Sequence, residues 1–308
     1  MAKRILIAGA SGFVGLALSR RLLEAGFEVV ALTRRPKDAI PLPHPRFQAV
    51  PWDARTDAGW ASYADGVAVI INLAGESIAT GRWSDQKKQA ILQSRLDATH
   101  AVVQAIQKIQ NKPNFVIQAC AIGIYGDRGE EVLTEKSAAG TGFLADVCRQ
   151  WEQAVEGIRD LGVRLAVLRL GMVLGAGGGA LGQMLPVFRK CLGGKLGSGK
   201  QWISWVHIQD VIGIVRFLLE KTNLDGVFNV TSPQAVRNEE FVGTLGAVLH
   251  RPSIWKVPGF MLKLLKGEMA RELLLSSQRV LPQRLREAGY SFGFADLQAA
   301  LEDILSDV

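Results

Sequence analysis

The chain has 308 residues, 48% of them hydrophobic and 21% charged, enough for a large buried core and too apolar for a disordered chain. Its net charge of +7 comes from Lys and Arg that never run four together, so it reads as a solvated surface with local anion sites, not as a nucleic-acid interface. Cys120, Cys148 and Cys191 show no C-x-x-C spacing or nearby histidine pair, so neither a metal site nor a disulfide framework is expected.

Taken in chain order, an apolar run at 4–9 opens the sequence with no signal-peptide h-region, and the chain is read as cytoplasmic. No apolar stretch approaches the ~18 residues of a membrane span. Gly9-Ala10-Ser11-Gly12-Phe13-Val14-Gly15 follows that run and leads into a helical pattern from Phe13 to Glu24. A second apolar run, 28–32, comes next. Strand, glycine turn, helix, strand is the context of a dinucleotide site, with Gly9, Ser11, Gly12, Phe13, Val14 and Gly15 around the pyrophosphate. The glycines serve the tight turn and the close backbone approach, while the helix-start N–H groups face the phosphate charge.

The G-x-x-G-x-x-G spacing resembles that of extended short-chain dehydrogenases/reductases. At the end of the second strand, where an acidic residue would select NAD, stand Thr33, Arg34 and Arg35. A guanidinium pairs bidentately with a 2′-phosphate, so NADP(H) is the expected cofactor.

Further apolar runs at 67–73, 114–120 and 163–170 alternate with long helical patterns at about 84–110 and 142–160. The first pattern places Leu92, Leu96, Val103 and Ile106 on one face; the second does so with Leu144, Val147, Trp151 and Val155. This alternation predicts an α/β, Rossmann-type doubly wound parallel sheet, with ligand at the C-terminal strand ends. After Leu170 come two glycine-rich stretches flanking a short helix at 183–192, then runs at 202–208 and 227–230 that are expected to rejoin the sheet around a helix at 210–221. The division that results is a cofactor domain of 1–170 and 202–232, and a smaller, mainly helical C-terminal substrate region of 171–201 and 233–308. Residues 194–201 nearly spell a P-loop, but lack its Ser/Thr and are followed by a strand-like segment, so an NTPase is rejected.

Asn72-Leu73-Ala74-Gly75-Glu76, Trp83, Ser94-Arg95, the 174–180 glycine stretch, Leu281-Pro282-Gln283-Arg284-Leu285 and Gly289-Tyr290-Ser291-Phe292 sharpen the likeness. Together they resemble the "epimerase family" branch of the extended enzymes, over essentially the whole chain. The resemblance implies NADP(H) contacts from Thr33, Arg34, Leu73, Ala74, Arg95 and Val173, with Arg95 a cationic partner near the phosphates. Gly75 and Glu76 close the strand beside the adenosine ribose.

Catalysis is where the pattern departs. Related enzymes use Tyr-x-x-x-Lys on a helix and a preceding Ser; the matching positions here are Phe143, Val147 and Ala121. Tyr125, past the fifth strand, is the first substitute proton donor. Glu76, Glu135, Lys136 and Cys120 are secondary candidates for which a structural role is favoured, and Trp205, His207 and Asp210 read as scaffold. The leading expectation is an NADP(H)-binding oxidoreductase or epimerase acting on a small molecule of unknown identity. Its rival is a non-catalytic cofactor sensor acting through a partner, and a homodimer is left open. The amphipathic stretch 260–266 is read as a helix docked on its own core rather than on a membrane.

Overall fold

The computed structural model describes residues 3–34 and 42–306. Seven strands form one sheet: β1 (Arg4–Ala8), β2 (Glu28–Thr33), β3 (Phe47–Pro51), β4 (Val69–Asn72), β5 (Phe115–Ala121), β6 (Arg164–Leu170) and β7 (Gly226–Val230). All pairings are parallel, and the order across the sheet is β3-β2-β1-β4-β5-β6-β7. The reversal between β1 and β4 is the switch point at which an open α/β sheet leaves a crevice for a ligand. Strands such as Ile5–Ala8 and Val69–Asn72 are buried along their whole length because helices cover both faces.

The helices are α1 (Phe13–Glu24), α2 (Asp85–Lys108), α3 (Phe143–Val155), α4 (Gly179–Arg189), α5 (Ile208–Glu220), α6 (Asn238–Val248), α7 (Gly259–Lys266) and α8 (Leu297–Leu305), with shorter turns between. Ser84 caps α2, its hydroxyl accepting from Lys87 N at 3.2 Å. On α3, Leu144, Val147, Trp151 and Val155 are all buried as their spacing predicts, each worth about 1.5–3 kcal/mol by area removed from water. On α2 the buried stripe is instead Ile91, Ala98, Ala101, Val102, Ala105 and Ile106, turned away from Leu92, Leu96 and Val103. Alanine lets this helix lie close to the sheet, and larger side chains take its flanks.

Two further expectations change. The exposed edge strand β3 has no apolar run to announce it, its burial resting mainly on Val50. Residues 202–208 do not rejoin the main sheet. Trp202–Ile203 pairs antiparallel with Val236–Arg237, and Trp205–His207 runs parallel to Met172–Leu174, each in a two-stranded sheet. Only Gly226–Val230 from that half joins the seven strands.

The C-terminal motifs bind the chain back onto this frame. Arg284 donates to Val227 O at 2.6 Å and to Asp225 O at 2.8 Å, its guanidinium 4.4 Å from the Phe228 ring. The buried Asp210 carboxylate accepts from Gly293 N, Phe294 N and the Tyr290 hydroxyl, which ties the start of α5 to the C-terminal Gly-Tyr-x-Phe stretch. His207 stacks on Phe294 and its Nδ1 accepts from Gln209 N, capping α5. Trp205, His207 and Asp210 are scaffold, as expected.

Candidate functional site

The glycine turn sits at the C-terminal end of β1, and its three glycines are required for different reasons. Gly9 has a φ of +79°, and a Cβ there would lie 2.9 Å from Ala74 N and from the Leu73 carbonyl. Gly15 is buried against the strand, where a Cβ would drive into the Gly9 carbonyl oxygen. Gly12 is different. Its φ of −74° suits any residue, and a Cβ would meet only Gly9 O, at 3.2 Å. The protein's own packing therefore demands Gly9 and Gly15, while at Gly12 it leaves one side open. Gly12 is the N-cap of α1 and has no side chain to satisfy the first-turn amides, while Ser11 beside it is exposed. A helix start with uncapped amides has the chemistry to accept an anion.

Phe13, in the first turn, lies under the 175–179 glycine stretch: Cβ atoms at Gly175 and Gly178 would come within 2.8 and 2.6 Å of its ring. Val14 is half-buried beside it. Val173 pairs with Val206 and packs on the same apolar cluster as Phe13.

At the end of β2, Thr33 is buried and its carbonyl accepts from Trp52 N, whereas Arg34 is exposed. Arg35 falls outside the described residues. Past β4, Leu73 N donates to Ala8 O at 2.9 Å and Ala74 N to Asn72 Oδ1 at 3.2 Å. Glu76 pairs with Lys87 at 2.7 Å, and that lysine holds its carboxyl below the usual range, with a smaller contribution from Arg34. Glu76 N donates to Ser94 Oγ, and Arg95 Nη1 donates to Glu76 O at 3.1 Å and Ile91 O at 2.8 Å. The Arg95 guanidinium lies 3.2 Å from where a Gly75 Cβ would be and 4.9 Å from the Trp151 ring. The structure thus gathers Glu76, Lys87, Ser94 and Arg95 at the ends of β4 and β5, next to the buried thiols of Cys120 and Cys148.

Tyr125 is a correction. Its side chain is 0% exposed, and its hydroxyl is 2.7 Å from Asn229 Oδ1, 3.0 Å from Thr134 O and 2.9 Å from Arg169 Nη1, from which it accepts. Arg169 is itself held bidentately by Glu152, both contacts at 2.8 Å. Burial pushes the phenol pKa up. A hydroxyl so engaged joins β5, β6 and β7 and has no face toward a ligand. Cys120 is equally sealed, with burial raising its thiol pKa, and Glu135 accepts from Asn229 N and Arg284 N to secure the C-terminal segment.

Phe143 and Val147, at the usual Tyr and Lys positions, join an apolar cluster with Trp83, Ile91, Leu144 and Met269. Trp83 meets the Phe143 ring edge-on at 5.2 Å, and Lys88 Nζ lies 4.9 Å from its centroid. Sequence reasoning missed Glu272. Its carboxylate, nine-tenths buried, accepts from Leu144 N at 3.2 Å and lies where a Gly142 Cβ would go, so the C-terminal region plugs the start of α3. Nothing in the local sequence around Glu272 signals this, because its partner is 128 residues away. An open depression of about 430 Å³ lined by Lys263, Gly267, Glu268 and Arg271 lies alongside, with Lys88 bonded to Glu268 at 2.8 Å.

Comparison with known proteins agrees with this geometry. Residues 5–231 match the NAD dependent epimerase/dehydratase family, and residues 257–304 match a domain of unknown function, DUF1731. The chain is 38% identical over 305 residues to an Arabidopsis thaliana protein described as "Epimerase family protein SDR39U1 homolog, chloroplastic", covering 98% of this chain and 86% of that one. It is 36% identical over 304 residues to the Bacillus subtilis epimerase family protein YfhF, covering 98% of each. The crystal structure of human epimerase family protein SDR39U1 (isoform 2) with NADPH superposes with a TM-score of 0.87 at 32% identity, covering 99% of this chain and 100% of that one. A UDP-glucuronic acid 4-epimerase from Bacillus cereus in complex with NAD shares the fold, with a TM-score of 0.77 at 18% identity and coverage of 98% and 95%. The chain belongs to the NAD-dependent epimerase/dehydratase family, as an atypical extended short-chain dehydrogenase/reductase with a C-terminal DUF1731 domain.

Proposed function

We propose that the chain binds NADP(H) across the C-terminal edge of the seven-stranded sheet and is an atypical oxidoreductase of unassigned small-molecule substrate. The observation that carries this is the glycine turn, where Gly12 has a backbone conformation open to any residue and a Cβ would touch only the Gly9 carbonyl oxygen, at 3.2 Å. The turn amides and the start of α1 would hold the pyrophosphate, and Arg34 would hold the 2′-phosphate. Leu73, Ala74 and Gly75 would line the adenosine ribose, and Val173 the nicotinamide side. NADPH in the human relative supports the same choice. The bound nicotinamide would supply or accept hydride, and the protein's share would be orientation and exclusion of water. Residues 1–170 and 202–232 would form the cofactor half, with 171–201 and 233–308 covering it.

A second reading, a cofactor-binding protein without turnover, draws on the apolar cluster around Phe143 and Val147, which offers no proton relay at the usual positions. One titration tests the shared premise of both. Gly12→Val should leave the fold intact and weaken NADPH binding by well over tenfold, read by quenching of tryptophan fluorescence. Wild-type affinity in a folded Gly12→Val protein would place the cofactor elsewhere.

A further inference from the structure

The large apolar side chains that stand exposed are not scattered. Apart from Val132, all those among the described residues lie in two short segments, 187–192 and 254–265. The fold joins these segments. Gly194–Leu196 pairs in parallel with Trp255–Val257, and Trp255 Nε1 donates to Cys191 O at 2.9 Å. Leu192 therefore lies beside Trp255, and α7 begins two residues after the pairing ends. On α7 only Leu262 is buried. Phe260, Met261, Leu264 and Leu265, whose spacing puts them on one side of the helix, are exposed, Phe260 by 72% and Leu264 by 75%. Ile254 is 83% exposed. The helix expected to dock on its own core is held to it by one leucine.

The charge follows the same surface. Residues 187–197 and 251–267 contain seven Lys or Arg and no Asp or Glu, while the chain as a whole carries +7. The rest of the sequence is thus balanced, and the chain's entire excess of positive charge is in the two segments that present the apolar side chains. Lys195 pairs with Glu239 of α6 at 3.1 Å.

We propose that this surface docks on an anionic lipid bilayer, with α7 lying in the headgroup plane, Phe260, Leu264 and Leu265 entering the acyl boundary and the lysines meeting lipid phosphates. A second copy of the chain fits less well, because a two-fold contact would set this cationic patch against itself. The apolar side chains are exposed on a helix and a strand end, which suits a medium that yields around them. An indole at the rim, as at Trp255, suits the membrane interface. The proposal does not depend on the cofactor reading.

Flotation with vesicles of equal parts phosphatidylglycerol and phosphatidylcholine tests it, beside vesicles of phosphatidylcholine alone. The full-length protein should float with the anionic vesicles, float poorly with the neutral ones, and be released as salt rises. The double variants Leu264→Glu/Leu265→Glu and Lys256→Glu/Lys266→Glu should each reduce the partition coefficient by at least about tenfold. Both keep buried residues intact, so their melting midpoints and NADPH titrations should match the wild type. Failure of the wild type to float with anionic vesicles at low salt overturns the proposal. So does equal flotation with neutral vesicles, or flotation that both double variants retain. A dimer in sedimentation that Leu264→Glu/Leu265→Glu dissolves, without vesicle binding, assigns the face to a second copy instead.

Discussion

Tyr125→Phe separates a structural phenol from a catalytic one. The substitution keeps the ring and removes an oxygen that is wholly buried between three partners. Asn229 Nδ2 donates to Leu281 O at 3.0 Å, which fixes its Oδ1 toward the phenol and leaves that oxygen stranded once the hydroxyl is gone. Arg169 keeps both Glu152 contacts but loses its third acceptor. A neutral hydrogen bond is worth about 1 kcal/mol and one to a charged group about 1.5–3, so the change should cost about 2–4 kcal/mol. Unfolding entropy is about 2.1 cal/mol/K per residue, so a chain of 308 residues shifts by roughly 1.5 °C per kcal/mol. The melting midpoint, by differential scanning fluorimetry or calorimetry, should therefore drop by about 3–6 °C, with the NADPH dissociation constant unchanged. A Tyr125→Phe protein that melts with the wild type, and loses turnover on a substrate found for the wild type, would refute this and restore the phenol as proton donor.

Arg34→Ala should weaken NADPH binding by about 1.5–3 kcal/mol, more than tenfold, and leave NADH binding nearly unchanged in calorimetry; equal losses for both cofactors would remove the 2′-phosphate contact. Gly15→Ala should give little soluble protein, because its methyl meets the Gly9 carbonyl in a backbone that has no room to shift; a stable, folded variant would contradict that packing. The stability of the wild type should fall as pH drops from about 7 to about 5. Burial lowers the His207 pKa, so the unfolded chain takes up its proton first and acid favours unfolding. His207→Asn keeps a helix cap without a titrating ring, and should flatten the dependence seen in urea unfolding at stepped pH; an unchanged slope would assign it to other groups.

The sheet was legible because a parallel strand covered on both faces is a near-continuous apolar run, as Ile5–Ala8 is and as Phe115–Ala121 is apart from the buried, hydrogen-bonded Gln118. β3 was not, since an edge strand that rests mainly on Val50 carries neither a run nor an alternation. The strand–glycine turn–helix order was readable from local chemistry, whose logic is confined to a few residues. Tyr125 misled for the same reason. Its distance along the chain from the fifth strand is correct, but its environment is set by Arg169 and Asn229, more than forty and a hundred residues on. Glu272 reaching α3 and the joining of 187–197 to 251–267 are likewise tertiary events. A search for unbroken runs of basic residues passes over that cationic surface, because β pairing, not adjacency, assembles it.

The central claim is that this fold holds NADP(H), and calorimetric titration of the wild-type protein with NADPH and with NADH in the same buffer tests it most directly. One NADPH per chain should bind saturably, at least about tenfold more tightly than NADH. No saturable binding of NADPH, or equal affinity for the two, would contradict the account.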